Sequence, residues 1–554
     1  MSMASARVYV DTYASIGMHG PTDARVRFRV SELLADMDHA GITAALVYHW
    51  IAREYDPMFG NKVLLEEIAE HRDRLFPVWV LQPDVTHEID PPERLVEQMQ
   101  AHGVVAARMF PRRHGFAFSM ATCGPLLSAL STAGIPLMMD VGRYGDDHQA
   151  TLGEIDEIAA ALPHLAICLQ AARWEDTREV VALLRRRTNC YIEFSSFQIH
   201  YGPEFLKERI GIDRLLLGTG WPFKSPGAAR SLVDYCELDE TDRHAFAAGN
   251  ATRLFRLPAL KARSSEETSP ILRRVKAGLP LDHIPVIDPH THVLHDGLMG
   301  SGYVTMPWGD AEHMIRRNRR LGIDRFCCSS WIGIWIDYAR GNTLINDLQT
   351  RYPDDLIGYA TIDPKKSADV AADIHLCHDI YGFRGIKPYH PRVGLPYNAP
   401  LYDAWYKKGN EIGAFVKLHQ STIGDNFLGE IDDISRRYPN MTYLLAHSGW
   451  TWEVARERAA FAKTRPNVML DLTFTSVLHG VVAFFVEEGL GDRVLFCTDA
   501  PMRDPIQQLG WVAYSQVDEA WLEAALGGNA LRVLAHAGLA LPALRTQYGL
   551  DQIG

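Results

Sequence analysis

The chain has 554 residues, more than one ordinary hydrophobic core holds, so at least two domains are expected. Hydrophobic residues make up 47% and charged residues 22% of the sequence, proportions that exclude a disordered chain. The formal net charge of −12 and the lack of long basic runs argue against nucleic acid as a partner.

The eight cysteines are scattered and contain no CxxC pair, which argues against a disulfide framework or a thiolate zinc site. The N-terminal sequence MSMASARVYVDTY lacks an apolar signal-peptide core. No window approaches the run of about 18 apolar residues that a transmembrane helix needs. We therefore expect a protein of the reducing cytoplasm that does not bind membranes.

The first strand-like run, residues 8–15 (VYVDTYAS), begins a half-chain whose landmarks return about 280 residues later. The matching pairs are Gly41-Ile42 with Gly322-Ile323, Gly60-Asn61 with Gly341-Asn342, LGEID at 152–156 with 428–432, and GNA at 249–251 with 528–530. This repetition predicts an internal duplication.

A polar segment, residues 259–284, separates the two halves and has the composition of a linker. The predicted domains are therefore residues 1–258 and 285–545. Each has the size typical of a (β/α)8 barrel, which is roughly 250 residues.

Short apolar runs alternate with longer amphipathic stretches along the second half. These runs are VID (286–288), RFCCSS (325–330), LIGYAT (356–361), GFRGIKP (382–388), GAFVKLH (413–419), TYLLAHS (442–448), VMLDLT (468–473) and VLFCTD (494–499). Eight strands with helical crossovers predict a parallel sheet closed into a barrel. The expected fold class is α/β, with two tandem (β/α)8 TIM-type barrels.

Histidines and one aspartate stand at the ends of runs 1, 5, 6 and 8: His290, His292, His419, His447 and Asp499. Strand C-termini converge on one face of a barrel, so these residues should meet around one cavity. Residues i and i+2 of a strand share a face, which makes His290 and His292 a pair of metal-binding nitrogens. Imidazoles with a carboxylate suit a divalent transition metal, with zinc favoured over manganese, iron or cobalt.

At these residues the sequence resembles the amidohydrolase superfamily, in its amidohydrolase-2 branch of aminocarboxymuconate semialdehyde decarboxylase-like enzymes. The resemblance covers nearly all of residues 285–540 and rests on DPHTH (288–292), GFRGIKPYHP (382–391), KLHQS (417–421), LLAHSGW (444–450) and FCTDAPM (496–502). It implies that His290, His292, His419 and Asp499 bind the metal and that His447 acts as acid, base or substrate-polarising group.

The predicted activity is hydrolysis of an amide, lactone or related acyl bond by metal-activated water, with His447 and Asp499 as catalytic groups. Non-oxidative decarboxylation is the alternative that the resemblance also permits. A non-catalytic tandem-barrel scaffold is a third possibility from a different functional class.

Lys387, at the end of run 4, is a further catalytic candidate with three alternative roles. It could carry a carbamate that bridges two metal ions, anchor a substrate carboxylate, or be an exposed lysine at a strand end. We expect one metal ion rather than two.

Aromatic and basic residues follow runs 2 and 4 and are candidates for binding a small, cyclic or aromatic carboxylate: Trp331, Trp335, Tyr338, Arg340, Tyr389 and His390. Arg392 and Arg503 are further candidates for the carboxylate.

The first half has lost the predicted metal ligands. Aligned on the repeat, it carries Tyr13 and Ser15 for the two strand-1 histidines, Arg108 for Lys387, Asp140 for His419, Ala171 for His447 and Gly220 for Asp499. We therefore expect a degenerate barrel that pairs with the active one within the chain, with a further homodimer as an open alternative.

Overall fold

The computed structural model describes residues 7–20, 23–142, 148–263, 267–420, 426–539, 541, 544 and 547–548. The chain forms two compact units, Met1–Glu267 and Thr268–Gly554. Each unit contains an eight-stranded parallel sheet whose strands lie in sequence order. The predicted pair of tandem (β/α)8 barrels is thereby confirmed.

The strands of the first barrel are β1 (Val10–Ile16), β2 (Ala44–His49), β3 (Leu75–Val80), β4 (Ala106–Arg108), β5 (Leu137–Asp140), β6 (Ile167–Gln170), β7 (Cys190–Glu193) and β8 (Leu215–Leu216). Its helices are α1 (Val30–Ala40), α2 (Trp50–Glu54), α3 (Pro57–Glu67), α4 (Pro92–Ala101), α5 (Pro111–His114), α6 (Met120–Ala133), α7 (Leu152–Ala161), α8 (Thr177–Arg186), α9 (Gly202–Ile210), α10 (Pro226–Tyr235), α11 (Glu240–His244) and α12 (Asn250–Leu254).

The second unit begins with α13 (Pro270–Lys276), which lies within the segment predicted as a linker. Ile271, Leu272 and Val275 of this helix are buried. The side chain of Glu519, in the last part of the second unit, accepts hydrogen bonds from Ser269 and from the Ile271 backbone. This helix therefore packs as part of the second unit.

The strands of the second barrel are β9 (Ile287–Val293), β10 (Arg325–Ser330), β11 (Leu356–Ile362), β12 (Gly385–Pro388), β13 (Phe415–Leu418), β14 (Thr442–Leu445), β15 (Val468–Leu472) and β16 (Val494–Phe496). Its remaining helices are α14 (Ala311–Leu321), α15 (Trp331–Trp335), α16 (Tyr338–Arg351), α17 (Val370–Ile374), α18 (His390–Val393), α19 (Asp403–Glu411), α20 (Phe427–Arg437), α21 (Trp452–Thr464), α22 (Val481–Glu487), α23 (Pro505–Ala513), α24 (Glu519–Glu523) and α25 (Asn529–His536).

Both barrels close through the same aspartate on their first strand. In the first barrel, Asp11 accepts hydrogen bonds from the backbone and hydroxyl of Thr219, which follows β8. In the second, Asp288 accepts the same two bonds from Thr498, which follows β16. These buried carboxylates hold the first strand against the last, so the ends of β9 and β16 lie side by side.

Apolar side chains fill the interior of each barrel below this closure. In the second barrel the core includes Ile287, Cys327, Phe415, Leu444 and Leu495, all less than 1% exposed. All seven residues of β9 are buried. The strand that carries His290 and His292 is therefore held by packing on both faces.

No helix within the described part of the chain is both long and apolar enough to cross a membrane.

Candidate metal centre

His290 and His292 on β9 converge with Asp499, which follows β16. Oδ1 of Asp499 lies 3.2 Å from Nε2 of His292 and 3.6 Å from Nε2 of His290. One ligand atom from each of the three residues lies within 4.8 Å of the other two. The three residues are buried and form a cluster of two nitrogens and one carboxylate oxygen, which we call the metal cluster.

Hydrogen bonds at Nδ1 orient the two imidazoles of the metal cluster. Nδ1 of His290 lies 2.7 Å from Oδ2 of Asp471 on β15, and Nδ1 of His292 lies 3.0 Å from Oγ of Ser329 on β10. A carboxylate can only accept, so Nδ1 of His290 carries the proton and Nε2 keeps its lone pair. This arrangement is the one that metal-binding histidines use, and the residues fit a divalent metal.

His419 and His447 stand beside the metal cluster at the ends of β13 and β14. Their ring centroids are 4.6 Å apart, and the His447 ring lies 5.6 Å from that of His290. Nδ1 of His419 is buried and has no hydrogen-bond partner among the described residues. The structure thus brings all four predicted histidines together, although His419 is not among the atoms within 4.8 Å.

His447 is fixed as a neutral imidazole. Its Nδ1 lies 3.0 Å from the carbonyl oxygen of Thr473, so this nitrogen donates and Nε2 is left as the acceptor. Burial, assisted by the nearby His419, lowers the pKa of His447 to about 3. The backbone of His447 has φ of 61°, in the left-handed region that costs energy for a residue with a Cβ.

Asp499 is held by Arg503 in the same buried space. Its Oδ2 accepts a hydrogen bond from the guanidinium of Arg503, which in turn donates to Oγ1 of Thr475 at 3.0 Å. Burial alone would raise the pKa of Asp499, but Arg503 and His292 hold it well below its usual range. Asp499 is therefore a fixed carboxylate, and its φ of 58° is also left-handed.

Lys387 on β12 belongs to the same cluster of buried groups. Its Nζ lies 3.3 Å from Nε2 of His290, and the residue is 1% exposed. Burial, together with the nearby Lys417, lowers the pKa of Lys387 to about 7. Of the three alternatives for this lysine, an exposed strand-end residue is excluded.

Several of the predicted aromatic residues lie near the histidines of the site. The Trp331 ring lies 6.0 Å from that of His292, and the Tyr389 ring lies 5.4 Å from that of His419. Trp335 stacks on Trp331 with ring centroids 5.1 Å apart. Trp335, Tyr338 and Tyr389 also line one small cavity of about 20 Å³. Trp331 and Tyr389 therefore lie beside two different histidines of the site.

The other predicted substrate-binding residues are not brought to the metal cluster by any contact in the described structure. Arg340 is on α16 with its side chain 79% exposed, and it pairs with Asp337 at the start of that helix. Tyr338 donates a hydrogen bond to Asp373 at 2.8 Å. His390 begins α18, and its side chain lies outside the described structure.

The sequence interpretation missed Asp471 and Lys417. The Lys417 ammonium donates to the same oxygen of Asp471 that accepts from His290, and both side chains are fully buried. Each is a charged residue inside an otherwise apolar run: Lys417 lies in GAFVKLH and Asp471 lies in VMLDLT. A charge at such a position is rarely buried without a partner, which is the signal that could have identified them.

The first barrel keeps the backbone of this site with different side chains. Arg108 and Asp140 form a buried ion pair where Lys387 and His419 stand in the second barrel. Ala171 has φ of 54° and Gly220 has φ of 74°, at the positions of His447 and Asp499. The left-handed turns are thus present in both barrels, but the residues predicted to bind metal stand at these positions only in the second.

A family model described as amidohydrolase (Amidohydro_2) matches residues 20–257 and 335–535, one segment in each half. Among solved structures, an uncharacterized TIM-barrel protein from Bordetella bronchiseptica is 19% identical with a TM-score of 0.38, covering 46% of this chain and 100% of that one. A 2,6-dihydroxybenzoate decarboxylase from Rhizobium is 15% identical, with a TM-score of 0.36 and coverage of 46% and 99%. A 5-carboxyvanillate decarboxylase from Sphingomonas paucimobilis is 14% identical, with the same TM-score and coverage. No curated protein matches the chain.

Proposed function

The chain belongs to the amidohydrolase family, and from that premise we propose that its second barrel is a metal-dependent hydrolase. The substrate class is a small, cyclic or aromatic molecule that bears a carboxylate and an amide, lactone or related acyl bond. The observation that carries this proposal is the convergence of Nε2 of His290, Nε2 of His292 and a carboxylate oxygen of Asp499 within 4.8 Å.

The three residues of the metal cluster would hold one divalent ion, and His419 is the candidate for a fourth ligand. Zinc is the first choice because it accepts nitrogen and carboxylate ligands in a tetrahedral arrangement, and manganese, iron and cobalt accept the same donors. When bound, such an ion polarises a carbonyl group and lowers the pKa of a coordinated water.

His447 would move the proton in this reaction. Its Nδ1 is committed to the Thr473 carbonyl, so Nε2 can take a proton from water and later return it to the leaving group. A neutral imidazole is required for the first step, and burial keeps His447 neutral. Thr473 therefore acts as the positioning residue for this base.

The ion pair between Asp499 and Arg503 favours a second reaction, loss of CO2 from an aromatic carboxylate. Pairing with Arg503 makes Asp499 a weak base, and burial lowers the pKa of His447 to about 3, so both groups have a reduced capacity to deprotonate water. Decarboxylation needs no attacking water, only a proton for the carbon that loses CO2. Trp331, beside His292, and Tyr389, beside His419, would contact an aromatic ring of the substrate in both reactions.

The first barrel would be a non-catalytic copy. This proposal is supported by the replacement of every aligned candidate metal ligand in the first barrel. The barrel nevertheless keeps its packing and the hydrogen bond from Thr219 to Asp11.

The experiment that tests the metal site is elemental analysis of protein purified without chelator. The variants are His290→Ala/His292→Ala and the matched control Tyr13→Ala/Ser15→Ala in the first barrel. We expect about one equivalent of a transition metal in wild type and in the control, and none in the histidine variant. A wild type that neither contains metal nor takes it up on reconstitution would overturn the proposal.

The reaction is tested by incubating the metal-loaded protein with lactones, amides and aromatic carboxylates. Ring opening or acyl cleavage would establish hydrolysis. Release of CO2 with no hydrolysis of any substrate would establish decarboxylation in its place.

A further inference from the structure

We propose that the first barrel binds a small organic anion with an apolar body, in a cleft at the amino ends of its strands. The metal cluster of the second barrel lies at the other end, where the strand C-termini converge. The cleft therefore has no part in the proposed reaction.

The cleft has a volume of about 400 Å³ and an apolar wall. It lies at the amino ends of β3, β4 and β5, where Phe76, Val104 and Ile135 line it and are each 6–7% exposed. Phe255, which follows α12, lines the same cleft. Ligand sites typically have volumes of about 300–1,000 Å³, so this cleft has room for a ligand of one or two rings.

The corresponding end of the second barrel is covered more fully by its own chain. Ile357, the counterpart of Phe76, belongs to a core cluster to which the segment after α25 adds apolar residues as far as Tyr548. In the first barrel, the segment after α12 adds apolar residues to the core cluster only as far as Leu260, within the described part of the chain. The cleft is thus a feature of the first barrel that its copy does not share.

Two arginines line the cleft, Arg72 and Arg256, and none of its described lining residues is acidic. Nη2 of Arg72 donates to the carbonyl oxygens of His102 at 2.8 Å and Gly103 at 3.4 Å, which carry no formal charge. Neither arginine forms an ion pair with a carboxylate of the described residues. An anionic group on a ligand would supply the opposite charge, and guanidinium groups bind such groups with two parallel hydrogen bonds.

Arg256 has a strained backbone conformation. Its φ is 51°, in a turn closed by the hydrogen bond from the Leu257 nitrogen to the Thr252 oxygen at 3.0 Å. The same turn ends α25 in the second barrel, where Gly538 has φ of 73°. Glycine is the usual residue at this position because a Cβ there costs energy. An unpaired cation in a strained conformation at the edge of a cleft points to a role in binding.

The guanidinium of Arg256 has a fixed place beside the cleft. A Cβ on Gly134, which caps α6, would overlap Nη2 of Arg256, so the guanidinium lies directly against this glycine. Gly134 itself lines the cleft. The cation is therefore in position before a ligand binds, which reduces the entropy lost on binding.

The test is isothermal titration calorimetry of the full chain with 2-naphthoate and with its neutral analogue 2-naphthamide. Arg256→Gly removes the cation and relieves the strain, and Arg256→Lys retains the charge as the matched control. Arg72→Met removes the second cation. The variant His290→Ala/His292→Ala separates binding at the metal cluster from binding in the cleft.

We expect saturable 2-naphthoate binding that survives in the double histidine variant and in Arg256→Lys. The affinity should fall about tenfold or more in Arg256→Gly and in Arg72→Met, since each loses a hydrogen bond to a charged group. Arg256→Gly should nevertheless unfold at no lower denaturant concentration than wild type, because glycine suits the turn. 2-Naphthamide should bind wild type less tightly than 2-naphthoate, a comparison that needs no variant to fold.

The proposal is overturned if 2-naphthoate does not bind, if its binding is lost in the double histidine variant, or if its affinity is unchanged in folded Arg256→Gly. Equal affinity of wild type for 2-naphthoate and 2-naphthamide would also overturn it.

Discussion

Asp471 accepts a hydrogen bond from Nδ1 of His290 at 2.7 Å, from inside the barrel and on the side of the imidazole away from Asp499. The same carboxylate accepts from Lys417, so its charge is compensated although it is fully buried. Such a partner fixes the ring orientation of a metal-binding histidine and raises the basicity of its other nitrogen.

We therefore expect Asp471→Asn to lower metal affinity about 10–100-fold, the usual effect of losing such a partner. The measurement is competition with a chromophoric chelator, accompanied by an unfolding curve because Lys417 loses its counter-charge. Glu193→Gln is the matched control, since Glu193 ends β7 as Asp471 lies on β15, in the barrel without metal ligands. Unchanged affinity in folded Asp471→Asn would show that this hydrogen bond does not support the site.

His447→Gln tests the proton-transfer role separately from metal binding. We expect the variant to keep its metal and to lose about 10²–10⁴-fold in kcat, the contribution typical of a positioned acid or base. Thr473→Val removes only the hydroxyl and leaves the carbonyl that orients the ring, so its loss should be smaller. Loss of metal from His447→Gln would instead assign the residue to the ligand set.

The sequence predicted the two barrels because each strand is a short apolar run and the duplication supplied every strand twice. It also predicted that the candidate ligands at the strand ends would meet, since parallel strands in a barrel bring those ends together. The structure places His290, His292 and Asp499 in one cluster, as this argument requires.

The hydrogen-bonding partners of these residues could not be predicted from the sequence in the same way. Asp471 and Lys417 are far apart in sequence, and only the closed barrel shows that they form a pair in its interior. Arg340 is a predicted substrate-binding residue because it follows run 2. Its position in the sequence does not determine where its side chain points, and on α16 the side chain faces solvent.

Glu193 should make the stability of the first barrel depend on pH. Burial raises the pKa of its carboxyl to about 7, against the hydrogen bonds from Ser195 and Ala171 that favour the ionised form. The folded state therefore binds a proton that the unfolded state releases above about 4.3. The contribution of protonated Glu193 to folding stability is complete below about pH 4.3. It is lost as the pH rises through about 7, the pKa in the folded state.

We expect Glu193→Gln to abolish this loss, so that the variant gains stability relative to wild type between about pH 4.3 and 7, by about 3–4 kcal/mol over the range. Denaturant unfolding followed by tryptophan fluorescence at closely spaced pH values measures the difference. A constant difference across this range would contradict the assignment.

The left-handed turns that end β6 and β8 should respond oppositely to substitution. Ala171 has φ of 54°, where a Cβ costs roughly 1–2 kcal/mol, so Ala171→Gly should stabilise the first barrel by up to about 1 kcal/mol after the entropy of glycine is deducted. Gly220, with φ of 74°, would gain a Cβ that lies 3.0 Å from Lys224. Gly220→Ala should therefore destabilise by about 1 kcal/mol or more.

Gly115→Ala is the control for the second substitution, because Gly115 is left-handed with φ of 73° and has nothing within 4 Å of the added Cβ. It measures the cost of the backbone alone, so the excess for Gly220→Ala reports the contact with Lys224. None of the three variants should change the metal content, since the metal cluster is built from other residues. If Ala171→Gly destabilises the protein, the turn is not strained, and its retention in the barrel without ligands needs another physical cause.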